Sequence, residues 1–76
     1  MPKLPVVNGR ETVRALRRAG FVIERQSASH AILVNYHTDR EVSVPMHGGR
    51  DLAPGTLRGI ISDAGLTVDE FRVLLK

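Results

Sequence analysis

The chain contains no cysteine and no tryptophan, and its aromatic residues are Phe21, Tyr36 and Phe71 alone. The missing thiols exclude a disulfide framework, a zinc–thiolate centre and a thiol nucleophile, and they fit a reducing compartment. The scarcity of aromatic side chains argues against the stacking platforms on which RRM and OB-type proteins read single-stranded nucleic acid. No apolar run approaches the roughly 20 residues needed to span a bilayer. The opening Met1-Pro2-Lys3-Leu4-Pro5 also lacks the apolar stretch of a signal peptide. The expectation is a cytoplasmic protein with no membrane partner. Neither an internal repeat nor a low-complexity segment is visible.

Of the 76 residues, 42% are hydrophobic and 25% charged, the mix of a folded domain. The length allows one core, so one domain over residues 1–76 is expected. A domain this small buries only about 60% of its unfolded surface and gains from a partner. The net charge of +3 is unevenly placed: residues 1–25 hold Lys3, Arg10, Arg14, Arg17, Arg18 and Arg25 against Glu11 and Glu24. Such a basic front end points to a polyanion, nucleic acid ahead of membrane, although a solvated helix face carries the same pattern.

Local signals predict the order of elements. Asn8 and Glu11 have the spacing of a capping box, opening a helix that runs to about Ala19, where Gly20 stops it. At 100° per residue Val13, Ala15, Leu16 and Ala19 share one side. Arg10, Arg14, Arg17 and Arg18 form a stripe on the other, within an arc of roughly 100°. Three strands follow. Phe21–Arg25 is rich in β-formers, and Ala31–Val34 is apolar on both parities, as a central strand would be. Glu41–Val44 alternates strictly, and Asn35–Arg40 reads as the hairpin loop between the last two strands. Pro54 suits the first turn of a second helix with Leu57, Ile60, Ile61 and Ala64 as its buried stripe, ended by Gly65. Thr67 and Glu70 form a second capping box, before a short helix with Val68, Phe71, Leu74 and Leu75 as its apolar residues. Phe21 and Phe71 read as core. The order α-β-β-β-α-α predicts an α+β fold with a three-stranded antiparallel sheet and helices on one face.

Read in order, several stretches resemble the HicA (YcfA-like) family of mRNA interferase toxins from type II toxin–antitoxin systems. They are Lys3-Leu4-Pro5-Val6-Val7 with Gly9, then Leu16-Arg17-Arg18-Ala19-Gly20-Phe21, then Arg25-Gln26 with Ser29-His30. Val44-Pro45 with His47, Asp51-Leu52, Pro54-Gly55-Thr56-Leu57 and Ala64-Gly65-Leu66-Thr67 complete the set. No single word is specific, but the ordered set is, and it covers essentially the whole chain. The resemblance implies a double-stranded-RNA-binding-domain-like fold and an endoribonuclease acting through one histidine at the start of the second strand, a role that maps onto His30. It also implies a HicB-type antitoxin that silences the toxin; an acidic antitoxin surface covering the basic helix and His30 would be the physical route to inhibition. Where family members commonly have Gly-Ser-His, this chain has Ala28-Ser29-His30, and its hairpin is not the usual short Asp-Gly type.

Imidazole suits RNA scission because its pKa lies near the working pH, so it can take or give a proton. The residues alone leave His30 open between this role and that of an ordinary polar side chain at a strand end; the resemblance assigns it the chemistry. Ser27 and Ser29 flank it and can orient the ring or hold a phosphate oxygen. Strand parity leaves its direction open: it shares a face with Ile32 and Val34 if the strand begins at residue 30, and is otherwise free to face solvent. His47, in the His47-Gly48-Gly49-Arg50 loop, is the second proton-transfer candidate and equally readable as a loop residue. His37 receives no role. The histidines lack metal-ligand spacing, and no HExxH, Ser-His-Asp arrangement or Walker-type phosphate loop is present, so neither metal nor cofactor is expected. The stripe Arg10, Arg14, Arg17 and Arg18 is the candidate RNA-backbone surface. The alternative is a non-catalytic RNA-binding module of the double-stranded-RNA-binding type. A DNA-binding or antitoxin subunit is weaker still, since no helix-turn-helix pattern is evident.

Overall fold

The computed structural model describes residues 3–76, so Met1 and Pro2 of the opening segment lie outside the described residues. Helix α1 (Gly9–Arg18) begins on the expected capping box. Asn8 Oδ1 accepts from the Glu11 amide at 2.8 Å, and Glu11 Oε1 accepts from the Asn8 amide at 3.0 Å. Ala19 is its C-cap, and Gly20, at φ 100°, holds the left-handed conformation that turns the chain into the sheet.

Strands β1 (Val22–Gln26), β2 (His30–Asn35) and β3 (Arg40–Pro45) form one antiparallel sheet in the order β1-β2-β3. The strand with apolar residues on both parities is therefore the central one, as expected. Its ends reach one residue further each way than the apolar run, because His30 pairs with Pro45 and Asn35 with Arg40. β1 starts one residue later than expected. Phe21 goes to the core while its amide donates to the Leu16 carbonyl at 3.0 Å, completing the helix stop. The Asn35 side chain builds the hairpin turn, its Oδ1 accepting from the amides of His37 and Thr38.

Helix α2 (Pro54–Asp63) has proline in its first turn, and α3 (Val68–Leu74) starts on the Thr67–Glu70 capping box. Ala31 and Leu33 of β2 and Val42 and Val44 of β3 pack against Val13 and Leu16 of α1, Ile60 of α2 and its C-cap Ala64. A second cluster of Val7, Ala15, Leu57, Ile61 and Phe71 holds α3 against the other two helices. The helices thus cover one face of the sheet, and the fold is double-stranded-RNA-binding-domain-like, with the order α-β-β-β-α-α.

Two features escape the apolar pattern. Thr12 is fully buried among the apolar residues of α1, where its hydroxyl donates to the Asn8 carbonyl at 2.9 Å and so leaves no unpaired polar group. Three arginines also fasten the helical layer. Arg18 donates to the carbonyls of Leu74 and Lys76, both at 2.8 Å, Arg40 to that of Asp63 at 3.2 Å, and Arg72 to that of Lys3 at 3.0 Å. Arg18 and Arg40 place their charge at the C-terminal ends of α3 and α2, where free carbonyls favour a cation.

Candidate active site

The connection from β1 to β2 is a tight turn closed by serine. The Ser27 amide donates to the His30 carbonyl at 2.8 Å, and Ser27 Oγ accepts from the His30 amide at 3.1 Å. The Met46 amide donates to the Ser29 carbonyl at 2.7 Å, which ties this turn to the end of β3. β2 begins at His30, so parity is settled. His30 shares a face with Ile32 and Val34, opposite to Ala31 and Leu33, and among the described residues the helices pack on the Ala31 and Leu33 side.

The His30 ring is exposed, with Nδ1 3.0 Å from Ser29 Oγ. A serine hydroxyl both donates and accepts, so this contact holds the ring whether or not Nδ1 carries a proton, and Nε2 is left for a second partner. The fold brings His47 beside it: the two ring centroids are 6.4 Å apart and the rings are inclined at 74°. His37 lies in the hairpin turn at the opposite end of β2. Ser29 thus touches the His30 ring and Ser27 its backbone amide, and His47, equally readable as a loop residue, stands at the same corner of the sheet.

A shallow groove beside His30 is lined by Arg25, Gln26, Ser27 and Ile32. A second groove holds His47 with Arg50, Asp51 and Thr56. It ends at the start of α2, where Ala53 provides no side-chain cap, so the first-turn amides keep their free N–H groups.

Arg10, Arg14, Arg17 and Arg18 are all exposed and line one shallow depression along α1 with Val13, so the stripe exists as a surface. Its members are not equivalent, because Arg18 is already bonded to two carbonyls. The stripe has a direction relative to His30. Gly9, at the start of α1, packs against Pro45 and Met46, the strand end beside His30. Ala19, at the other end, accepts from Asn35 Nδ2 at the far end of β2. Arg10 is therefore nearest the histidines, and Arg17 and Arg18 lie at the far end of the stripe.

Sequence reasoning gave no place to Arg25, which the structure sets in the groove beside His30. In an unbroken strand Arg25 would share the face of Ile23, towards the helices. Instead the register shifts between Ile23 and Arg25: Ile23 pairs with Leu33, and Arg25 pairs with Ile32. The extra residue, Glu24, is a β-bulge, and it turns Arg25 onto the face of His30. No composition or spacing signal announces the bulge. Its partner is Tyr36, whose hydroxyl donates to Glu24 Oε2 at 2.7 Å. This bond, and then the carboxylate charge, raise the Tyr36 pKa above its ordinary value of 10.0, with a smaller contribution from desolvation. Tyr36 is the sole tyrosine and there is no tryptophan, so absorbance at alkaline pH reports it cleanly. The phenolate should appear only above the ordinary midpoint, and Glu24→Gln should bring the midpoint back towards it.

Among the described residues no group of three His, Asp or Glu side chains is placed to hold a metal ion, and no helix is long and apolar enough to cross a membrane. The architecture defines a small α+β protein of the double-stranded-RNA-binding-domain type, with a basic helix on one side and paired imidazoles at one corner of its open sheet face. The chain belongs to the family described as the HicA toxin of bacterial toxin–antitoxin systems, whose family model matches residues 9–66. The matched span takes in the arginine stripe, His30 and His47 and stops before α3. Membership gives the chain a toxin role and implies an antitoxin partner. No curated protein matches it.

Proposed function

We propose that the chain, acting as one toxin domain over residues 1–76, is an endoribonuclease that cleaves mRNA by acid–base chemistry centred on His30, and that a HicB-type antitoxin neutralises it. The observation that carries this reading is the exposed His30 ring on an uncovered sheet face with a second imidazole, His47, at 6.4 Å. Scission of RNA needs one proton removed and one supplied. The 2′-oxygen forms a bond to the adjacent phosphorus while its proton passes to one imidazole. The bond from phosphorus to the 5′-oxygen breaks, and that oxygen takes a proton from the other. The products are a 2′,3′-cyclic phosphate and a free 5′-hydroxyl. Two rings in opposite protonation states supply both transfers, and the Ser29 hydroxyl keeps His30 oriented in either state.

The arginines of α1 contact the RNA backbone without reading bases. Replacing Arg10, Arg14 and Arg17 together with glutamine should weaken RNA binding at low salt. It should also reduce the slope of log K against log salt by about 2. Unchanged affinity and slope in filter binding would make the stripe a solvated face only. Arg18 is left out of this variant because its loss would release the end of α3.

The test of the ribonuclease reading is incubation of the purified protein with mixed RNA in EDTA, followed by analysis of fragment ends. Fragments ending in cyclic phosphate support it. Intact RNA that is nevertheless bound supports a non-catalytic RNA-binding module instead.

A further inference from the structure

Arginines whose guanidinium groups bond backbone carbonyls, such as Arg18, Arg40 and Arg72, have a structural task. Arg25 has no such bond among the described residues. It is exposed on an edge strand, and the bulge at Glu24 sets it opposite Ile32, two residues along β2 from His30. That makes Arg25 the diagonal cross-strand neighbour of His30 on the same face, a separation that a long side chain spans. Both residues line the same shallow groove. Arg50 is the competing cation, but it lies in the other groove, on a loop and beside Asp51. Arg25 stands on a strand, so its position relative to His30 is held by the sheet ladder.

We infer that Arg25 holds the scissile phosphate in the His30 groove. Its N–H groups bond the non-bridging oxygens, which gain negative charge as the 2′-oxygen adds to phosphorus and before the 5′-oxygen leaves. Arg25 transfers no proton: the planar fork of donors matches two phosphate oxygens at once and favours the charge-rich transition state over the monoanionic diester. The bulge is then a positioning device, since without it the guanidinium would face the helical layer. The inference rests on the ribonuclease reading of the same site.

The experiment is single-turnover cleavage of an RNA oligonucleotide by the wild type, Arg25→Gln, Arg25→Lys and Arg58→Gln, the last an exposed arginine on α2 away from both grooves. Arg25→Gln should lower the cleavage rate constant about 100-fold or more at saturating protein. Arg25→Lys should recover only part, because it keeps the charge and loses the fork. Arg58→Gln should match the wild type. Wild-type rates in Arg25→Gln, or a loss that disappears at saturation, overturn the inference. If Arg25→Gln fails to fold by thermal melting, a wild-type rate constant in Arg25→Lys overturns it and a reduced one supports it. A second readout separates this inference from the reading beneath it. Uridine 3′-monophosphate titrated into the wild type should shift the His30 imidazole NMR signals, and the shift should be lost in Arg25→Gln. If the wild type cuts no RNA but shows this Arg25-dependent shift, the ribonuclease reading falls and Arg25 stands as a phosphate ligand. An equal shift in both proteins overturns Arg25.

Discussion

His30→Ala should abolish RNA cleavage while leaving the fold and the affinity for RNA in place. The side chain is exposed, its bond is to the neighbouring Ser29 hydroxyl, and it belongs to neither apolar cluster. Its removal therefore costs little stability, and the melting temperature should stay near that of the wild type. On the proposed reading RNA is held by arginines on another element, so the dissociation constant measured by anisotropy should change little. The cleavage rate should fall by about 10³-fold or more, within the range that a positioned acid or base contributes. His47→Ala should show a smaller but clear loss, since water can take over one proton transfer, though less effectively than a fixed ring. Wild-type cleavage by His30→Ala would remove the chemistry from this corner of the sheet. Lost cleavage together with lost RNA binding would make His30 a binding residue.

The largest effect on stability is expected from Phe71→Ala. Phe71 is fully buried and joins Val7, Ala15, Leu57 and Ile61 in the cluster that binds α3 to α1 and α2. Truncating a buried phenylalanine costs about 3–5 kcal/mol through lost transfer energy and the cavity left behind. A domain of this length has a total stability of about 4–11 kcal/mol, so the variant loses a large share of it. The melting midpoint should drop by about 12–40 °C, and Phe71→Leu should lose much less. A melting curve for Phe71→Ala close to the wild type would mean that α3 contributes no stability to the helices it covers. The substitution lies outside the family-matched residues, so it also tests whether the third helix is integral to this chain's core.

Glu24 and Thr12 show where reading from sequence stops. The capping boxes, the glycine stops and the arginine stripe were legible because each depends on residues three or four positions apart, or on a neighbour's backbone. The central place of β2 was legible because Ala31–Val34 is apolar on both parities, the pattern of an inner strand. Thr12 was hidden because a polar side chain enters a core only when its hydrogen bond is made, and the acceptor is a backbone carbonyl that composition does not reveal. Gly9 was read as part of a family word. Its physical reason is that a Cβ there would collide with the Pro45 carbonyl and stand 3.0 Å from Met46 Sδ.

By itself the sequence determined the kinds of element, their order, their caps and the faces of the helices, since hydrophobic period and local hydrogen bonding act over a few residues. The family resemblance, and not the residue pattern, put His30 at the start of β2. Only the tertiary structure decided which sheet face His30 would occupy, that His47 would stand 6.4 Å from it, that Arg18 would be tied to the end of the chain, and that Arg25 would turn towards the histidines. These depend on pairing between strands and on a register shift of a single residue. In a strand a shift of one position exchanges the two faces, and its energy comes from partners distant in the sequence.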